Sequence, residues 1–128
     1  MNRVEIVEAL RDQAAQETLF READLVRRRY CGDAAQLRGV VHFSNYCCCD
    51  DLYCGLRKSN RAIKRFRMSE DQIVDTALSI ASAGLRTVVL QSGEDGYYTR
   101  KRMCSILRRI LDQTEVAVTL SLGERSIE

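Results

Sequence analysis

"LRGVVHFSNYCCCDDLYCG", residues 37–55, starts as a strand and continues as a loop dense in metal ligands. Val40, Val41 and Phe43 lie in a short β-rich run (37–43) bounded by polar residues, the pattern of a buried strand. Four of the six cysteines then fall between positions 47 and 54. Where thiols stay reduced, clustered cysteines favour metal or redox work over disulfides.

Two similar apolar runs follow, "RTVVLQ" (86–91) and "VAVTLSLGE" (116–124, with its exit loop). Between the first and second lies "MSEDQIVDTALSIASAG". Ser69 and Gln72 have the spacing of a capping box, Ile73, Ala77, Ile80 and Ala81 form an apolar stripe, and Gly84 marks the helix end. A further helix is expected from about Thr99 to Leu111, with Met103, Ile106, Leu107 and Ile110 inward. Upstream, residues 3–11 read as a short helix with Val4, Val7 and Leu10 on one face. A second helix carries Leu19, Ala23, Val26 and Tyr30 and stops before Gly32.

Strands alternating with helices argue for an α/β fold with a parallel sheet. The expected architecture is two N-terminal helices (1–33), then β-α-β-α-β with three parallel strands (37–124), in a single domain over 1–128. Parallel strands are normally covered on both faces and continued sideways. Three of them with no covering helix after the last read as the first part of a TIM-type (β/α) barrel, which takes about 250 residues. Such a truncated chain would be inactive alone, and the open edges of its first and third strands would promote self-association.

Composition narrows the class. The chain has 128 residues, 45% apolar and 30% charged, which describes a globular protein. "MNRVEIVEALRDQ" contains no apolar stretch of signal-peptide type, and no run approaches the roughly 18 apolar residues of a membrane helix. The expected location is therefore cytoplasmic. A net charge of +2 gives little attraction for nucleic acid. Arg27, Arg28 and Arg29 fall where a helix should end and complement its dipole.

Polar groups follow each strand: "SNYCCCDDLYCG", "QSGED" and "SLGE". In parallel α/β architectures ligands bind at the carboxyl ends of the strands. The segments "LRGVVHFSNYC", "LYCGLRKSN", "TVVLQSGEDGYY" and "VAVTLSLGE" together resemble the radical S-adenosylmethionine (SAM) enzymes. The nearest branch is that of the HydE-type FeFe-hydrogenase maturases, relatives of biotin synthase and methylornithine synthase. The resemblance implies reductive cleavage of SAM by a 4Fe-4S cluster, a small-molecule substrate, and hydrogenase maturation proteins as partners, with no nucleic acid and no membrane.

It also implies site residues. The family's loop is C-x3-C-x2-C, whose three thiolates leave one iron open for SAM. Cys47 matches the first cysteine and Cys54 the third, while Asp51 stands at the second. Asp51 could ligate through its carboxylate; Cys49, within about 7 Å of chain reach, could take the vacancy; or the loop could hold no cluster. Tyr53 matches the aromatic placed against the adenine of SAM. Ser92, Gly93 and Glu94 match the family's Gly-Gly-Glu element, with Glu94 receiving the methionyl ammonium. Ser121 and Glu124 are expected to face the same cavity. Zinc is disfavoured, because the chain offers a single cysteine cluster and its one histidine, His42, lies on a strand. Arg57, Lys58, Arg61, Lys64, Arg65 and Arg67 read as a solvated rim, and Cys31 and Cys104 as buried, inert thiols.

Overall fold

The computed structural model describes residues 2–124, which divide between Gln36 and Leu37 into two compact units. The first contains α1 (Arg3–Arg11) and α2 (Gln16–Cys31). Asn2 caps α1: its side chain accepts the Val4 and Glu5 N–H groups, and Glu5 reaches back to the Asn2 N–H. Helix α2 ends at Gly32, whose φ of 75° lies in the left-handed region that glycine enters without cost. The arginines there are tied locally. Arg27 pairs with Asp24 and Asp33 and donates to the Gly32 carbonyl, and Arg28 pairs with Asp24. No residue of either helix is buried.

The second unit is a parallel sheet in the order β1 (Gly39–Ser44), β2 (Thr87–Ser92), β3 (Ala117–Ser121), with crossover helices α3 (Glu70–Ser82) and α4 (Arg100–Leu111). The first strand starts two residues later than the apolar run suggests, at Gly39, where any side chain would collide with Ile80 of α3. The Ser69–Gln72 capping box forms in both directions. Thr99 caps α4 by accepting the Arg102 N–H.

Alternation along the strands decides the core. Val41, Phe43, Val88 and Leu90 are buried with Ile73, Val74 and Ala77 of α3 and Met103, Ile106 and Ile110 of α4. Leu107 is partly buried against the same cluster. Burying each such side chain contributes about 1.5–3 kcal/mol. Tyr98 joins them, packed edge-on to Phe43, with its hydroxyl donating to the Met68 carbonyl. Burial pushes that phenol up to about 12. The opposite face of the sheet carries Val40 and His42 on β1 and Gln91 on β2, all exposed.

The register slips between His42 and Ser44, a bulge that turns Ser44 inward at the strand's carboxyl end. Beyond the cysteine loop the chain returns antiparallel to this end. Arg67 bridges to Ser44, the Met68 N–H donates to Phe43, and the Asn45 N–H donates to Phe66. The outer edge of β1 is therefore closed at its carboxyl end, which corrects the expectation of an open edge there.

Candidate functional site

Three loops leave the carboxyl ends of the three strands and converge on Glu94. From the first, the Cys48 N–H donates to the Glu94 carbonyl at 3.0 Å and the Cys48 thiol to Glu94 Oε2 at 3.6 Å. From the third, the Glu124 N–H donates to Glu94 Oε1 at 3.3 Å. Two glycines permit this approach. A side chain at Gly93 would meet the Tyr46 carbonyl oxygen, and one at Gly123, whose φ is 72°, would meet Glu94 itself. Gly93 thus brings the second loop against the backbone of the first.

A buried polar group supports the junction from below. Asp95 accepts Ser44 Oγ at 2.6 Å and the Tyr97 N–H at 3.1 Å, and it takes two bonds from Arg67, at 2.7 and 2.9 Å. Burial alone would raise the Asp95 carboxyl, but the bonds from Arg67, Ser44 and Tyr97 outweigh it and hold the group below the usual carboxylate value. The Arg67 guanidinium also stacks on Tyr46 and Tyr97, 3.9 and 4.9 Å from their ring centroids.

The cysteine loop is stitched from inside. Asn45 donates to the Lys64 carbonyl and accepts the Phe66 N–H. Arg65 donates to four backbone carbonyls, those of Asn45, Leu56, Arg57 and Asn60. Arg65 and Arg67 are thus structural clamps, not members of a solvated rim. Among the other loop residues, Asp50 accepts the Ser59 N–H at 2.9 Å, and hydrogen bonding from the Ser59 side chain and backbone holds it below its ordinary value.

The sequence-derived candidates separate as follows. Cys49 and Glu94 come together, joined by Cys48, with donor atoms all within 4.8 Å of one another. Glu94, burial and Cys48 push the Cys49 thiol up to about 12. Cys47 and Cys54 are half-buried in the same loop and outside that group. Asp51 is exposed, and its carbonyl closes a turn with the Cys54 N–H. Tyr53 is 92% exposed. Ser92 donates its hydroxyl to the Gly93 carbonyl. Ser121 is exposed at the end of β3, and His42 lies 5.9 Å from the Phe66 ring. Cys31 and Cys104 are exposed, contrary to expectation: α2 buries none of its residues, and Cys104 lies off the buried stripe of α4 formed by Met103, Ile106 and Ile110.

Sequence reasoning missed Cys48, Arg65, Arg67 and the Ser44–Asp95 pair. The available signal was an Arg-x-Arg spacing closing a long loop, together with polar Ser44 and Asn45 directly after a buried strand.

The donor chemistry can be set against the cluster that the family resemblance implies. The loop holds three half-buried thiols, Cys47, Cys49 and Cys54. In number and softness they fit an iron–sulfur cluster with one iron left open, Cys49 standing in for the exposed Asp51.

Known proteins resemble the chain over most of its length. No family model matches the sequence. The chain is 45% identical over 116 residues to the [FeFe] hydrogenase maturase subunit HydE of Thermotoga maritima, covering 91% of this chain and 33% of that protein. It is 27% identical over 117 residues to 3-methylornithine synthase of Methanosarcina acetivorans, covering 90% and 33%. The crystal structure of methylornithine synthase (PylB) superposes with a TM-score of 0.77 at 26% identity, covering 86% of this chain and 33% of that one. The fold is shared with the FeFe-hydrogenase maturase HydG from Carboxydothermus hydrogenoformans, at a TM-score of 0.73 and 24% identity, covering 85% and 26%. The chain spans about a third of the length of the curated relatives it matches. Over that third, it is a relative of the radical SAM maturases and synthases, built as part of their α/β barrel.

Proposed function

We propose that this chain supplies the cluster-binding and SAM-binding end of a radical SAM enzyme acting in FeFe-hydrogenase maturation. The observation that carries the reading is the convergence of the three strand-exit loops on Glu94. The identity to HydE supports the maturation branch.

In this reading Cys47, Cys49 and Cys54 are the thiolate donors. When bound, a 4Fe-4S cluster supplies one electron to the sulfonium of SAM, whose sulfur–carbon bond then breaks. The protein's own work is placement. Glu94 accepts charge-assisted hydrogen bonds from the methionyl ammonium, in exchange for its contact with the Cys48 thiol. Gly93, with its carbonyl held by Ser92, keeps the backbone low beside the cofactor. Tyr53, exposed at the loop tip, offers a ring to the adenine. A small-molecule substrate and other maturation proteins complete the assignment.

A second reading, a loop that holds no cluster, is favoured by the exposed carboxylate of Asp51 at the family's second cysteine position. Anaerobic reconstitution with iron and sulfide separates the two. Bound iron and sulfide, together with a paramagnetic signal that SAM alters through Glu94, are the expected result. A chain that retains neither supports the second reading.

A further inference from the structure

We propose that Cys48, Cys49 and Glu94 form a site for a single thiophilic divalent cation of the zinc class, distinct from an iron–sulfur cluster. The three donor atoms already lie within 4.8 Å of one another. Tetrahedral zinc, with sulfur at about 2.3 Å and oxygen at about 2.1 Å, separates two such ligands by about 3.6 Å. Cys48 Sγ and Glu94 Oε2 stand 3.6 Å apart. The pair is therefore spaced for one ion without rearrangement. Cys49, the adjacent residue, needs only a small closure.

The surroundings fix the ligands as metal sites require. The Cys48 N–H to Glu94 carbonyl bond locks the two loops together. The Glu124 N–H holds Oε1 of the same carboxylate, orienting Oε2 toward the thiol in the manner of an outer-shell partner. The absence of a side chain at Gly123 makes room for the Glu94 stem. Cys48 is exposed, and Cys49 and Glu94 are half-buried, so an ion can enter and a water can complete four-coordination. Two thiolates and a carboxylate select zinc-class ions over magnesium or calcium, which take oxygen donors.

Zinc was disfavoured from sequence because the cysteine loop lacks a second ligand pair. The third ligand comes instead from the loop after β2. The site shares Cys49 and Glu94 with the cluster and SAM reading, so it describes the loop before a cluster is assembled, and its geometry stands without that reading.

The test is titration of the purified, reduced 128-residue chain with Co2+, followed by displacement with Zn2+. A single equivalent with the intense visible bands of tetrahedral cobalt and thiolate charge transfer is expected. Cys48→Ser and Cys49→Ser should each weaken binding at least about tenfold and dim the charge-transfer band, whereas Cys47→Ser and Cys54→Ser should leave both unchanged. Glu94→Gln should weaken binding with the charge-transfer band retained; if its urea midpoint falls, the two serine variants decide. Octahedral cobalt, no binding, or loss in Cys47→Ser with retention in Cys48→Ser overturns the proposal. Cobalt binding without iron–sulfur assembly removes the cluster reading alone, and assembly without cobalt binding removes this one alone.

Discussion

The Arg67 guanidinium meets the Asp95 carboxylate side-on, Nε to Oδ2 at 2.7 Å and a terminal nitrogen to Oδ1 at 2.9 Å. The pair is asymmetric in solvent, with side chains 37% and 2% exposed respectively. Asp95 consequently depends on Arg67 more than Arg67 depends on Asp95. Replacing Asp95 with Asn should cost about 2–3 kcal/mol, below the range for a fully buried pair because Arg67 stays partly hydrated. Urea denaturation at neutral pH measures it.

The same pair sets a pH dependence. The Asp95 carboxyl is held below its ordinary value by Arg67 and Ser44 against the cost of burial. Its contribution is thus fully present above the unfolded carboxylate value of about 3.9 and is lost as the pH falls through the lower folded value. The stability gap between the wild type and Asp95→Asn should be constant from pH 7 to about 5 and shrink below pH 4. A gap that widens in acid would contradict the assigned sign.

Arg65 should act on the loop more than on the core. Replacing it with Met removes donors to four carbonyls and leaves those carbonyls to find water. Hydrogen bonds to a charged group contribute about 1.5–3 kcal/mol each before loop relaxation. Amide exchange across 46–60 should accelerate strongly, while exchange in β2 and α4 changes little.

Gly93 and Gly96, three residues apart in sequence, offer a matched comparison. A methyl group at Gly93 meets the Tyr46 backbone, whereas one at Gly96 meets nothing within 4 Å. Gly93→Ala should lower stability by about 1–3 kcal/mol, and Gly96→Ala should stay within about 0.5 kcal/mol of wild type. Thermal unfolding of the two variants under one buffer distinguishes them.

For the iron reading, the third thiolate can be located by rescue. Cys49→Ala should lower reconstituted iron and sulfide per chain, Asp51→Ala should not, and Asp51→Cys should restore iron in the Cys49→Ala background. Iron unchanged in Cys49→Ala means that Cys49 is not a ligand. Cys31→Ala and Cys104→Ala serve as controls, since both residues lie outside the loop.

What could be read from sequence was local or periodic. The Ser69–Gln72 cap, the stop at Gly32 and the inward stripe of α4 depend on residues within a turn or two of each other, and each is found as expected. The strands were legible because β-rich runs were separated by helical periodicity. The site was legible only through loop position. Ser44 and Asp95 lie 51 residues apart, and Cys48 and Glu94 lie 46 apart. No pattern within either segment names its partner; the parallel register of β1 and β2 brings them together.

The bulge at Ser44 and the return of Phe66–Met68 beside it have an effect on assembly. With the carboxyl end of β1 already paired, an incoming strand finds the backbone of Phe43 and Asn45 occupied on that side. The returning segment thus shields the end of the strand from which the cysteine loop departs, and it keeps that loop rooted in its own chain.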